Sequence, residues 1–190
     1  MKLQQLMSYT RRAIDDYNMI QDGDRIAIGI SGGKDSLTLL YALHGLQRHH
    51  PSHLHRSVRL RYYPKKFDLE AITVDLGHPD FDVSGIHSLC ETMKVPYTVI
   101  KTEIARIVFD ERKEKNPCSL CAKMRKGALN DTIKKLGCNK IAYAHHKDDI
   151  VETMMMSLIY EGHFYSFPPI PHLDRPALTV IRPLMYVQEA

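Results

Sequence analysis

No stretch of the chain approaches the roughly 20 consecutive apolar residues that a membrane-crossing helix needs. The first twenty residues, MKLQQLMSYTRRAIDDYNMI, carry Arg11, Arg12, Asp15 and Asp16 and hold no uninterrupted apolar core, so they read as neither signal peptide nor membrane anchor. A cytoplasmic chain is therefore expected. Cysteine is scarce, with four in 190 residues, and thiols of that compartment stay reduced, so disulfide stapling is not expected. Charge of one sign is scarce too. Lys and Arg number 26 against 22 Asp and Glu, a net +4 that permits an anionic partner without demanding one. Ten glycines, ten prolines and 44% hydrophobic residues exclude disordered and fibrous classes. A length of this order fits a single domain over residues 1–190, large enough to bury roughly 70% of the surface its unfolded chain exposes.

What the chain does have is alternation. Leu3, Leu6, Met7, Ile14 and Tyr17 recur at mostly helical spacing, an opening amphipathic helix within residues 1–20 that ends before Gly23. Residues 24–30 form a short apolar run of parallel-strand character, followed by Ser31-Gly32-Gly33-Lys34-Asp35-Ser36 and a helical pattern over 37–47. Strands are expected at 69–74, 96–100, 140–144 and 178–181, and helices at 83–93, 118–136 and 147–160. This order predicts an α/β fold with a mostly parallel sheet. Met154, Met155 and Met156 are expected to pack the last helix against that sheet. A basic insertion at 49–66, with Arg56, Arg59, Arg61, Lys65 and Lys66, reads as a solvated surface segment or as a nucleic-acid contact. The chain stops at Ala190 shortly after a strand with no closing element, which reads as truncation.

Three motifs carry chemistry. The hexapeptide at 31–36 sits where a strand meets a helix start. Free backbone N–H groups and the positive helix end favour an anion there, adjacent glycines allow close approach, and Lys34 adds a mobile cation. Its spacing is neither that of the ordinary G-x-x-x-x-G-K-[ST] loop nor that of the dinucleotide G-x-G-x-x-G. Cys118 and Cys121 stand at i and i+3 on one face of a helix start, with Lys123, Arg125 and Lys126 adding positive charge, a pair suited to iron–sulfur, zinc or dithiol chemistry. Cys90 and Cys138 read as small buried hydrophobes. His145-His146-Lys147-Asp148-Asp149 begins a helix at the same carboxyl edge of the sheet as the hexapeptide. Its acids serve either a metal or the helix dipole. Asp75 ends the second strand, as a turn residue or a nucleotide contact.

Ser-Gly-Gly-Lys-Asp-Ser resembles the pyrophosphatase loop (PP-loop) of enzymes that cleave ATP between its α- and β-phosphates and adenylate a substrate. With Pro117-Cys118-Ser119-Leu120-Cys121, Ala144-His145-His146-Lys147-Asp148-Asp149 and Ile181-Arg182-Pro183-Leu184, the chain is most similar to the tRNA 2-thiocytidine synthetases, from the opening helix to Tyr186. The resemblance implies a Rossmann-like, adenine nucleotide alpha hydrolase-like three-layer sandwich. It implies ATP-dependent tRNA thiolation, in which a cytidine C2 oxygen is adenylated and replaced by sulfur delivered through a 4Fe-4S cluster. Lys34, Asp35, Cys118, Cys121 and Asp149 are then the catalytic candidates. Gly29, Ser31, Gly32, Gly33, Lys34, Asp35, Ser36, Asp75, His145 and Asp148 are the nucleotide-binding ones. Cys118 and Cys121 would ligate iron, with the family's third cysteine beyond this sequence, and Asp35 and Asp149 would hold magnesium (Mg²⁺). Its implied partners are tRNA, with contacts from the basic insertion and from Lys123, Arg125 and Lys126, a sulfur donor (a cysteine desulfurase or sulfide) and a second copy in a homodimer. Other PP-loop chemistry, such as uridine thiolation, desulfuration or amine transfer, and nucleotide binding without turnover, are the alternatives.

Overall fold

A computed structural model describes residues 2–48, 63–78, 81–111, 116–171 and 178–189. Most of the basic insertion, including Arg56, Arg59 and Arg61, lies outside these described residues. Helix α1 (Leu3–Asp16) leads into β1 (Asp24–Gly29) and α2 (Lys34–Arg48); β2 (Phe67–Asp75), α3 (Ser84–Met93) and β3 (Tyr97–Lys101) follow. Then come α4 (Pro117–Lys135), β4 (Lys140–Ala142), α5 (Lys147–Met156) and β5 (Thr179–Ile181). The five strands are all parallel, in the order β3-β2-β1-β4-β5.

Alternation of side chains across the pleat explains the layers. Ile26 and Ile28 of β1 join Leu69 and Ala71 of β2 in the main core under α1, α2 and α3. Ala27, Ile72, Ile141 and Val180 point the other way and meet Leu129 and Ile133 of α4. The result is the expected three-layer α/β arrangement. Because the chain runs outward from β1 through β2 to β3 and then returns to place β4 on the other side of β1, the strand order reverses between β1 and β4. In open α/β sheets ligands bind at the carboxyl ends of the strands flanking such a reversal.

The structure differs from the sequence expectations in four places. The fourth strand ends at Ala142 rather than at 144, and the last long helix ends at Met156, where residues Ser157–Glu161 widen into a π-helical turn. A second π-helical segment, Arg106–Glu111, precedes α4, and a period of five residues per hydrogen bond has no counterpart in the helical template. The methionines are not packed against the sheet: α5 buries no residue, and Met155 and Met156 are exposed. Ile150, at the end of the helix's first turn, is the apolar side chain of α5 that packs against the main core.

Candidate active site

The turn after β1 is held by its own hydroxyls. Ser36 Oγ donates to the Gly33 carbonyl at 2.9 Å, the Ser31 N–H donates to Ser36 Oγ at 3.3 Å, and the Gly33 N–H donates to Ser31 Oγ at 3.4 Å. Gly32 has φ +81°, a conformation that side chains disfavour, so the turn requires glycine there. Ser31, Gly32, Gly33 and Lys34 are exposed, Asp35 is half-buried and Ser36 is buried beneath them. The first N–H groups of α2 therefore open onto solvent at the carboxyl edge, with Lys34 beside them. The Lys34 ammonium pairs with Glu189, which raises the lysine's pKa and lowers that of the carboxyl.

Beside this turn lies a cavity of about 400 Å³, within the range of small-ligand sites. Its walls come from the end of β1 (Gly29, Ile30, Ser31), the end of β2 (Ile72, Thr73, Val74), Leu76, His78 and Phe81, with Tyr143 beyond β4. Ala122, Arg125, Lys126 and Leu129 of α4 close it. An apolar chamber with two cations, opening beside a turn at a helix start, has the chemistry to take a flat aromatic group carrying a phosphate tail. Burial raises the Tyr143 hydroxyl, which keeps it protonated at that wall. Asp75 is not in the lining. Its carboxylate accepts the Gly77 N–H at 2.8 Å, and Gly77 has φ +88° with the Thr102 carbonyl where a Cβ would sit, 2.8 Å away.

Cys118 and Cys121 stand in the first two turns of α4, exposed and half-buried respectively, behind an Asn116 cap that accepts the Ser119 N–H. Helical spacing puts Cys118 one turn before Ala122 and Cys121 one turn before Arg125, so the thiols share the stripe of α4 that lines the cavity. Cys90 and Cys138 are far from this role: both are buried, and burial pushes both thiols up. Cys138 lies just before β4, at the amino edge.

After β4 the chain alternates sides. Tyr143 packs on the α4 core and Ala144 on the main core, so His145 and His146 part company. His145 stacks on Phe167 with ring centroids 4.5 Å apart and accepts a hydrogen bond from Arg182 Nε at 3.2 Å. Burial and the Arg182 charge lower its pKa. Arg182, itself buried, also donates to the Pro168 carbonyl at 2.6 Å. His146, not picked out from the sequence as a site residue, turns toward the loop instead, with Nε2 3.8 Å from Glu189. Asp149 accepts the His146 N–H at 2.8 Å and Asp148 accepts the Glu189 N–H at 2.6 Å, so both acids serve the start of α5. Asp35 lies with His146 and Glu189, one ligand atom of each within 4.8 Å of the others, rather than in a cluster with Asp149. Glu189 carries no local motif that could have singled it out.

Of the basic residues, Arg125 and Lys126 are exposed and line the cavity. Lys65 and Lys66 precede β2 and lie at the opposite, amino edge. Lys65 is engaged there by Asn18 and the Ile20 carbonyl, at 2.9 and 2.6 Å.

The chain matches the family described as PP-loop domain (ATP_bind_3) over residues 3–190. The tRNA-cytidine(32) 2-sulfurtransferase of Aliivibrio salmonicida is 41% identical over 181 residues, 95% of this chain and 55% of that protein. The protein of the same name from Geobacter sulfurreducens is 38% identical over 179 residues, 94% of this chain and 65% of that one. The chain thus spans between about half and two thirds of the curated relatives it matches. Among solved structures, the U34-tRNA thiolase NcsA from Methanococcus maripaludis with its 4Fe-4S cluster superimposes with a TM-score of 0.69 at 24% identity, over 98% of this chain and 59% of that one. The NH3-dependent NAD synthetase from Campylobacter jejuni, in complex with the nitrate ion, gives 0.53 at 13% identity, over 100% and 69%. These two likenesses are of fold. No helix among the described residues is long and apolar enough to cross a membrane.

Proposed function

The chain belongs to the PP-loop domain family, and on that premise we propose that it is the nucleotide-binding domain of an ATP-dependent tRNA thiolase acting on cytidine. One observation supports this reading: a single chamber is lined by Ser31 of the SGGKDS turn and by Ala122 and Arg125 of α4, each one helical turn after Cys118 and Cys121. Relatives at 38–41% identity named tRNA-cytidine(32) 2-sulfurtransferase support the substrate.

In this reading the adenine enters the apolar chamber and the phosphates lie along the turn. There the first N–H groups of α2, Ser31 and Lys34 take the β- and γ-phosphates, and Arg125 reaches the α-phosphate. The cytidine C2 oxygen attacks the α-phosphorus, the bond to the bridging oxygen breaks, and pyrophosphate leaves with the charge that Lys34 and the turn stabilise. AMP is then the leaving group at C2, displaced by sulfur. The donor is sulfide or a cysteine desulfurase, and the working unit is a homodimer.

The residues present fit an iron–sulfur group in part. Two accessible thiols on one helical face, free of any disulfide, can ligate iron. Cys90 and Cys138, buried elsewhere, cannot complete the set. When bound, such a cluster supplies an iron site for sulfide. Mg²⁺, a hard cation that prefers oxygen ligands, finds Asp35 and Glu189 next to the phosphate position. Lys123, Arg125 and Lys126 are the described cations near the start of α4 that would meet tRNA phosphate.

The test is release of AMP and pyrophosphate from ATP in the presence of unmodified tRNA, with 2-thiocytidine measured in the same digest. Lys34→Ala is expected to abolish AMP formation. Cys118→Ala is expected to keep AMP and lose the thionucleoside. Undiminished AMP from the Lys34 variant would overturn the assignment, and ATP binding with no AMP from the wild type would make the domain a binding module.

A further inference from the structure

The last residues of the chain lie on the lysine that the phosphates need. Past β5 the segment folds back over the carboxyl edge and is fixed to the first turn of α5 by two hydrogen bonds, one between backbones and one from a backbone N–H to a side chain. Lys147 N–H donates to the Val187 carbonyl at 2.8 Å, and the Glu189 N–H donates to the Asp148 carboxylate at 2.6 Å. This anchoring delivers one carboxylate oxygen of Glu189 to the Lys34 ammonium and leaves the other 3.8 Å from His146 Nε2. Asp35 completes the group, with ligand atoms of all three residues within 4.8 Å. The third member of the group is buried: His146 is 7% exposed, with Nε2 turned to Glu189 and Nδ1 turned the other way, 3.3 Å from an Asp149 oxygen at the start of α5.

We propose that Glu189 is a positioning residue of the nucleotide site. It holds Lys34 until a polyphosphate takes the lysine, and the carboxylate so released forms, with Asp35 and His146, the seat of the divalent cation that accompanies the nucleotide. The inference rests on the nucleotide reading above.

Charge balance is the physical argument. A carboxylate and a phosphate compete for the same ammonium, each making a charge-assisted hydrogen bond to it. In the ligand-free protein the ammonium neutralises Glu189 beside Asp35. Once Lys34 turns to a phosphate, two carboxylates and the phosphate charge face one another, with Asp148 and Asp149 close behind at the start of α5. A divalent cation held by the carboxylate oxygens restores the balance, with the His146 imidazole beside it. Lysine and metal therefore occupy the same electrostatic place in turn, and nucleotide and metal bind each other's complex more tightly than the free protein.

Calorimetric titration with pyrophosphate and with a non-hydrolysable ATP analogue tests this, on wild type and Glu189→Gln, each in EDTA and in Mg²⁺. The side chain of Glu189 is 43% exposed, so folding does not hinge on its charge. In EDTA the Glu189→Gln protein should bind about threefold more tightly, the size typical of one partly exposed ion pair released. In Mg²⁺ the ranking should reverse. Equal or weaker binding by Glu189→Gln in EDTA overturns the competition, and an undiminished gain from Mg²⁺ overturns the cation seat. If the wild type binds neither ligand in either condition, the nucleotide reading fails and takes this proposal with it.

Discussion

At the amino edge of the sheet Lys140 and Asp24 meet at 2.7 Å with 10% and 5% of their side chains exposed, whereas at the carboxyl edge Lys34 and Glu189 meet with 62% and 43% exposed. The buried pair is fully supported. Asp24 also accepts from Asn139 Nδ2 at 2.7 Å and from the Gln21 N–H at 2.5 Å, and Lys140 donates to the Met19 carbonyl at 2.8 Å. Burial raises the Asp24 carboxyl, but the hydrogen bonds from Gln21, Lys140 and Asn139 outweigh it and hold the pKa below the ordinary value. The exposed pair has neither burial nor a closed set of partners, and it sits over a turn whose N–H groups open outward. One edge spends its charges on holding β1, β4 and the α1–β1 loop together; the other keeps them available to a ligand. Removing a charge should therefore cost activity at one edge and stability at the other.

The sharpest break of that contrast comes from paired substitutions. Lys34→Ala should lower AMP formation at least about 100-fold, a loss of the size seen when a group stabilising transition-state charge is removed, while the melting temperature stays put because the side chain is exposed. Asp24→Ala should do the reverse. Leaving Lys140 buried without its carboxylate costs about 3 kcal/mol, read as a fall of about 10 °C in the melting temperature, with ATP affinity of the folded fraction unchanged. Arg125→Ala comes next, with ATP affinity about tenfold weaker by titration, the loss of one charge-assisted hydrogen bond, and little change in stability.

Acid separates the edges by smaller steps. His145 has its pKa lowered by burial and by Arg182, so the unfolded chain takes up its proton first, and stability should fall as pH drops below the ordinary histidine value. Asp24 has its pKa depressed, so its contribution is present above the ordinary carboxylate value and is lost as pH falls through it toward the depressed one. Chemical denaturation across pH should show two descents, the upper flattened by His145→Gln and the lower by Asp24→Asn. A single descent insensitive to both would merge the two edges.

Much of this was legible in the residues because local rules govern it. The β1 run ending in adjacent glycines, and the alternation that sends Ile26 and Ile28 to one core and Ala27 to the other, follow from pleat and turn chemistry. The Cys118–Cys121 spacing placed both thiols on one face of α4 for the same reason. What the residues hid is what depends on distance or on a single step of register. His145 and His146 look alike in sequence, yet the alternation after β4 sends one to Phe167 and the other to the loop. Glu189 reaches Lys34 across 155 positions because two hydrogen bonds tie its segment to the start of α5, a contact with no local signature. The apolar run of α5 obeys helical spacing but stays exposed at Met155 and Met156, with Ile150 the α5 side chain packed on the main core.

The most direct measurement is backbone hydrogen exchange of the whole chain, with and without saturating ATP. The account predicts that ATP slows exchange in peptides carrying the turn at 31–36 and the α4 stripe at 122–129, and leaves peptides carrying Asp24 and Lys140 unchanged. Protection centred on Asp24 and Lys140, or none at the turn under conditions where ATP binds, would contradict it.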